Sequence, residues 1–184
     1  LFNGVVSSLV WTWDEQFYLS NEVFYPETEL GALISDGWGN TSIGTEAVWS
    51  NYYYALANVR DLESRFDELC GESNDTAICD LARAQVIILK AYKTFKVTDI
   101  FGDIPYTQAG RIWQPENDSV NYRKPKFDTQ ESIYKSLLNE LVWARDVLSN
   151  ATEQTPSGND YLSLSSFDPL MYGSLAKWAK FANS

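Results

Sequence analysis

The residues that could carry out catalysis in this sequence are carboxylates, because the chain contains no histidine. The lack of histidine excludes the Ser-His-Asp triad and most catalytic zinc sites. Two carboxylates across a sugar bond would be the machinery of a glycosidase, and Asp99 with Asp103, or Asp14 with Glu15, are such pairs. A chain with 25 acidic residues offers such pairs by chance, so they do not predict an enzyme.

The two cysteines, Cys70 and Cys79, are two ligands short of a zinc site. No metal and no cofactor is expected. Cys70 ends one predicted helix and Cys79 opens the next, which makes a disulfide geometrically plausible, and export from the cell would favour its formation. The alternative is that both are small apolar side chains buried in the core.

The charge of the chain narrows the classes of partner. It has 184 residues, enough for one domain with a core, and 25 acidic against 14 basic side chains give a net charge of −11. Proteins bind the phosphates of nucleic acid through Lys and Arg, and a chain with this negative charge repels them. Nucleic acid is therefore excluded as a partner. No apolar run approaches the roughly 20 residues of a membrane helix, and the first residues lack signal-peptide features, which fits a cytosolic protein or a processed, mature chain.

Apolar residues at helical spacing predict two long helices in the first half of the chain. In the first, over 46–69, apolar residues recur every four or three positions and form one stripe. They are Val48, Tyr52, Ala55, Val59, Leu62, Phe66 and Leu69. Gly71 follows as a C-terminal cap, and Asn74-Asp75-Thr76 supplies N-cap residues for a second helix that runs to about 97. The short turn between them predicts an antiparallel pair.

Two further helices are predicted in the second half. One begins at Asp128, where Asp128 and Glu131 have the spacing of a capping box. The other begins near Asp168-Pro169, since proline suits a first helical turn, and contains Leu175 and Trp178. Its pattern reaches Ser184 without a glycine or proline stop, so we expect a single domain over 1–184 that is the N-terminal portion of a longer protein.

The predicted elements indicate an all-α fold. Ala84-x3-Ile88-x2-Ala91 has a spacing close to that of a tetratricopeptide second helix. Residues 1–20 are also predicted to be helical, whereas 20–45 and 98–127 are long irregular connections, which in compact domains are usually functional or packed excursions. We therefore predict tetratricopeptide-like antiparallel helix pairs, an α-α superhelix with long loops.

Four segments, in order, resemble the SusD/RagB-like outer-membrane lipoproteins of Bacteroidetes. The most characteristic is FGDIPYTQA at 101–109, with its Gly-Asp-hydrophobic-Pro-Tyr core. PKFDTQESIYKSLLNEL at 125–141 is similar to the family segment that opens the next helix, and FDPLMYGSLAKWAKFANS at 167–184 is similar to its Trp-x-x-Phe-Ala-Asn-Ser stretch. ALANVRDLE at 55–63 is similar to the first tetratricopeptide helix.

The resemblance implies a protein that binds nutrients and does not cleave them. Its implied partner is a SusC-like TonB-dependent transporter, over which it acts as a lid, and its implied ligands are oligosaccharides or polysaccharides, or peptides in some branches. The implied location is the outer surface of the outer membrane, reached through a lipidated cysteine upstream of this chain. A tetratricopeptide-type scaffold that only docks a protein partner is the alternative.

Tryptophans in the two long loops are the candidate ligand contacts. In Asp36-Gly37-Trp38-Gly39-Asn40 the flanking glycines leave the ring poorly screened, so that it could stack on the C–H face of a sugar. Asn40 could donate to and accept from sugar hydroxyls, and Asp36 and Trp113 complete the candidate set. The alternative is that Trp38 and Trp113 pack their loops onto the helices.

The motif at 101–109 is predicted to be a buried turn that ends the second helix and contacts no ligand. Gly102 permits a positive φ and Pro105 fixes the exit of the chain. Phe101, Ile104 and Tyr106 can pin the turn to the helices, and Asp103 is expected to cap or to hydrogen-bond backbone.

Overall fold

The structure, a computed structural model, describes residues 5, 8, 9, 43–71, 76–111, 124–154 and 174–184. Four helices lie in these ranges: α1 (Ile43–Gly71), α2 (Thr76–Phe101), α3 (Gln130–Gln154) and α4 (Leu175–Asn183). Val5, Ser8 and Leu9, the described residues of the region 1–20, are also helical. Within the described ranges the β-type pairing is a single isolated bridge, between Ile104 and Asp128. The predicted all-α, tetratricopeptide-like fold is confirmed.

The first helix, α1, buries the stripe that the sequence predicts from Val48 to Leu62. The three consecutive tyrosines of α1 point in different directions, because successive helical residues are about 100° apart. Tyr52 is buried, Tyr53 donates its hydroxyl to the carbonyl of Pro105 at 3.1 Å, and Tyr54 is 73% exposed. The helix begins three residues before the predicted start, at Ile43.

A disulfide joins α1 to α2, the helices on either side of the first short turn. The Sγ atoms of Cys70 and Cys79 are bonded, and their Cα atoms lie 6.1 Å apart. Because Cys70 is at the end of α1 and Cys79 is in the first turn of α2, the bond fixes the two helices as an antiparallel pair.

The second helix, α2, is the centre of the fold, because it contacts each of the other three. Every residue from Ala84 to Ala91 is buried, including Gln85 and Lys90, and not only the spaced residues Ala84, Ile88 and Ala91. The helix also extends four residues beyond its predicted end, to Phe101. Neighbouring helices on several sides explain why polar positions of α2 are inside.

The predicted capping box at Asp128 and Glu131 is wrong. The third helix, α3, begins at Gln130, and the residue that caps it locally is Thr129, whose Oγ1 accepts the N–H of Ser132 at 3.3 Å. Asp128 lies one position too early for that role. Its backbone pairs with Ile104, and its carboxylate accepts hydrogen bonds from the 101–109 turn instead.

The predicted start of the last helix is also wrong. Asp168 and Pro169 lie outside the described residues, but α4 begins only at Leu175, because Ser174 is extended (φ −83°, ψ 102°). The Ser174 side chain accepts the N–H of Lys177, as an N-cap should. Leu175, Trp178 and Ala179 then enter the core against α2 and α3.

The apolar core is divided into two clusters that follow the lengths of the helices. One contains Ala84 of α2, Leu148 near the end of α3, and Trp178 of α4. The other contains Ala91 of α2, Ile133 near the start of α3, and Ile104 of the turn. The early part of α2 thus faces the late part of α3, so these two helices are antiparallel as well.

Candidate functional site

The predicted ligand residues Asp36, Trp38, Asn40 and Trp113 lie outside the described residues. Their positions in the sequence are next to described elements. Asn40 precedes the start of α1 by three positions, and Trp113 follows Arg111, the last described residue of the turn, by two. The described elements next to them in the sequence are the start of α1 and the base of the excursion between α2 and α3.

The 101–109 turn is built into the core. Gly102 has a φ of +74°, and its N–H closes the end of α2 on the carbonyl of Thr98 at 2.7 Å. Ile104, Pro105 and Tyr106 are buried, and the ring of Phe101 lies edge-on to Trp49 with centroids 5.1 Å apart. Such a turn presents little surface to a ligand, and its burial supports a structural role.

A second glycine of this segment, Gly110, was not singled out from the sequence. It also has a φ of +74°, and a Cβ at this position would lie 3.2 Å from backbone atoms of Ala57. The chain therefore passes close against α1 here, in a conformation that favours glycine. The glycine directly after the motif was the available signal.

A buried charged network connects three helices beneath the turn. The Nζ atom of Lys90, whose side chain is 3% exposed, lies 2.6 Å from Glu63 Oε1 of α1 and 2.6 Å from Glu140 Oε2 of α3. Arg60 pairs with Glu63 at 2.9 Å, and its guanidinium lies over the ring of Tyr106, 5.2 Å from the centroid. The network thus links the turn to α1, α2 and α3.

The electrostatics of this network favour the ionised form of Glu63. Burial raises the pKa of Glu63, but the positive charges of Lys90 and Arg60 outweigh burial and hold the pKa below its usual value. Burial also raises the pKa of Tyr106, which therefore stays neutral. Sequence reading missed this network because its members are on separate helices; the one signal was a lysine inside the apolar run of α2.

An open groove of about 440 Å³ lies between α2, α3 and the end of α4. Its walls are mainly apolar and include Tyr92, Phe95, Leu138 and Phe181. Asp99 at its rim is engaged, because it accepts a hydrogen bond from the hydroxyl of Tyr134, which raises the pKa of that tyrosine to about 12. Besides Asp99, its polar lining residues are Lys96, Asn183 and Ser184. Because the walls are mainly apolar, we do not place the glycan site here.

Among the described helices, none is both long enough and apolar enough to cross a membrane. In the same part of the chain, no group of three or more cysteine, aspartate or glutamate side chains is placed to hold a metal ion.

Comparison with known proteins identifies the family. Residues 38–184 match a SusD-like family described as "Starch-binding associating with outer membrane". A solved structure of a SusD/RagB family protein from Bacteroides thetaiotaomicron is similar in fold, with a TM-score of 0.63 and 23% sequence identity. The similarity covers 98% of this chain and 35% of that one, so this chain spans about a third of its length. No curated protein sequence matches significantly. The resemblance seen in the sequence is thus confirmed, and the chain belongs to the SusD-like family.

Proposed function

We propose that this protein captures glycans at the surface of the bacterial outer membrane and passes them to a SusC-like TonB-dependent transporter. The observation that carries the proposal is the match of residues 38–184 to a family whose description names starch binding and the outer membrane. A lipid anchor upstream of this chain would hold the protein at the membrane. Capture of peptides, as a RagB-like binder, is the alternative cargo.

The ligand contacts in this proposal are Trp38, Asn40, Asp36 and Trp113. An indole ring between two glycines, as at Trp38, can be approached on its face, and the apolar face of a sugar ring stacks well on such a surface. Asn40 supplies one acceptor and two donors for hydroxyl groups. The buried turn between α2 and α3 leads into the segment that carries Trp113. In this proposal the turn holds the loop in place, and the loop contacts the ligand.

A binding role is supported by what the described carboxylates do. Asp99 accepts from the hydroxyl of Tyr134, and Asp103 accepts from the backbone N–H of Gln130. Both members of the pair that resembled glycosidase machinery are therefore engaged in structural hydrogen bonds. In a glycosidase the two carboxyls would instead have to reach a sugar bond from either side.

A glycan array probed with the full-length protein tests the proposal, with starch and its oligosaccharides as the first ligands. We expect saturable binding to at least one class of glycan and no new reducing ends on long incubation. If the protein binds peptides and no glycan, peptides are its cargo, as in the RagB-like alternative. Release of reducing ends would contradict the non-catalytic role.

A second candidate function, docking of a protein partner, is favoured by the groove and by the exposed face of α3. Leu138 and Val142, one helical turn apart, are both exposed, and Leu138 lines the groove. Replacing both with serine, beside Tyr54→Ser as an exposed control on α1, tests docking at this face. Loss of co-purification with the transporter in the α3 variant alone would support it, whereas unchanged co-purification would remove it. A protein that docks in this way but binds neither glycan nor peptide would be a scaffold only.

A further inference from the structure

The excursion between α2 and α3 carries one carboxylate near each of its ends, and each binds the opposite end. Asp103 lies near the beginning, and its Oδ1 accepts the N–H of Gln130, the first residue of α3, at 2.9 Å. Asp128 lies near the end. Its Oδ2 accepts the N–H groups of Tyr106 and Thr107 at 2.9 and 2.8 Å, and its Oδ1 accepts the Thr107 hydroxyl at 2.9 Å.

Each carboxylate satisfies donors that secondary structure leaves open. The first N–H groups of a helix have no acceptor within that helix. Asp103, 27 residues earlier in the chain, supplies an acceptor for the first N–H of α3. A negative charge at this end is also favoured by the helix dipole. In the turn, Tyr106 and Thr107 present two adjacent N–H groups, and an ionised acceptor such as Asp128 binds both more strongly than a neutral group would.

Neutral hydrogen bonds close the same base. Ile104 and Asp128 exchange backbone hydrogen bonds of 3.2 and 3.0 Å, and the side-chain oxygen of Gln108 accepts the N–H of Lys126 at 3.1 Å. Ile104 is fully buried, so the bridge rests on the apolar core. Together with the carboxylate contacts, these bonds join five positions at the beginning of the excursion to three at its end.

We propose that Asp103 and Asp128 form a reciprocal clamp that acts as one cooperative unit. The N–H partners of each carboxylate lie within four residues of the other carboxylate, so releasing either one frees the segment on which the other depends. The clamp ties the turn after α2 to the start of α3 and fixes the base of the excursion. If the clamp alone holds the two ends together, the helical scaffold should stay folded when residues 112–123 are replaced.

Hydrogen exchange in the full-length protein tests the cooperativity. The variants are Asp103→Ala and Asp128→Ala, and exchange is followed by mass spectrometry on peptides covering 104–111 and 128–134. We expect either substitution to speed exchange in both peptides by about tenfold or more, the scale of one lost charge-assisted hydrogen bond. Asp61→Ala, on the exposed surface of α1, should leave both peptides unchanged.

Independent behaviour would overturn the clamp: Asp103→Ala would then speed exchange only in 128–134, and Asp128→Ala only in 104–111. If the alanine variants fail to fold, Asp103→Asn and Asp128→Asn keep the shape of the side chain and remove the charge, and the same two patterns decide.

Replacement of residues 112–123 by a Gly-Ser stretch of equal length tests the exchangeability. We expect the Tm to stay within about 2 °C of the wild type, whereas Asp128→Ala lowers it by several degrees. A fall in Tm after loop replacement as large as that of Asp128→Ala would show that the loop, and not the clamp, holds the ends together. Neither experiment involves the ligand, so a negative result for the clamp is distinct from failure of the proposed function.

Discussion

Lys90 places an ammonium group among apolar side chains, and its two glutamate partners come from different helices. Removal of one member of such a network leaves uncompensated charge in a region of low dielectric, which costs roughly 3–5 kcal/mol for a fully buried pair. Glu63 and Glu140 retain 26% and 30% exposure. The cost of losing Lys90 is therefore expected below that range.

The first prediction concerns Lys90→Met, which keeps the length of the side chain and removes its charge. We expect the free energy of unfolding, measured by urea titration, to fall by about 2–3 kcal/mol. The control is Lys135→Met, because Lys135 pairs with Glu131 on the exposed surface of α3 and such pairs contribute below about 1 kcal/mol. Equal losses in the two variants would contradict the structural role of the network.

The second prediction concerns pH and Glu63. Its pKa is lower in the folded protein than the ordinary value of 4.5, so its ionised form stabilises the fold above that pH. This contribution is lost as the pH falls below about 4.5 and through the lowered pKa. We expect Glu63→Gln to be less stable than the wild type at neutral pH but to lose less stability on acidification, as followed by thermal unfolding. A parallel pH dependence of the two proteins would argue against the lowered pKa; Glu131→Gln is the exposed control.

At the scale of elements, the turn after α2 depends on two glycines with the same φ and different surroundings. A Cβ at Gly102 would enter open space, whereas one at Gly110 would lie 3.2 Å from the backbone of Ala57. The third prediction is that Gly102→Ala costs about 1–2 kcal/mol from the left-handed conformation alone, and that Gly110→Ala costs more because α1 must also move. Denaturant titration of both variants measures this, and the opposite order would contradict the close approach.

The fourth prediction concerns the disulfide between α1 and α2. The bond closes a short loop, for which loop entropy gives a stabilisation of about 2–3 kcal/mol. We expect the double variant Cys70→Ala, Cys79→Ala to lose about that amount relative to the oxidised protein, and reducing agent to leave the variant unaffected. If reducing agent also leaves the wild type unaffected, the two cysteines do not form a bond that stabilises the fold.

The helical elements could be predicted from sequence where local pattern decides them, and not where distant residues do. The stripe of α1 and the triplet Ala84, Ile88 and Ala91 were recovered because periodicity reports burial directly. The start of α3 was not, because Asp128 had a capping spacing but was already engaged by a turn more than 20 residues earlier. A local pattern cannot contain a partner so distant in the sequence. The pairing of Lys90 with Glu140 was missed for the same reason.

At the scale of the whole molecule, the described scaffold and the proposed ligand contacts are separate parts of the chain. The helices, the turn and the charged network account for stability, and the tryptophans in the long loops are proposed to account for binding. Because this chain spans about a third of the solved SusD/RagB structure, affinity has to be measured on the full-length protein.

Calorimetric titration of the best array glycan into the wild type, Trp38→Ala and Gly102→Ala, with the Tm of each, separates ligand contact by the loop from structural support by the turn. Loss of a stacked aromatic ring removes about 1 kcal/mol of binding, so we predict that Trp38→Ala binds about fivefold more weakly at an unchanged Tm. Gly102→Ala should lower the Tm and keep its affinity at temperatures where it is folded. A Trp38→Ala variant with full affinity and a lowered Tm, together with a folded Gly102→Ala variant that no longer binds, would contradict the account.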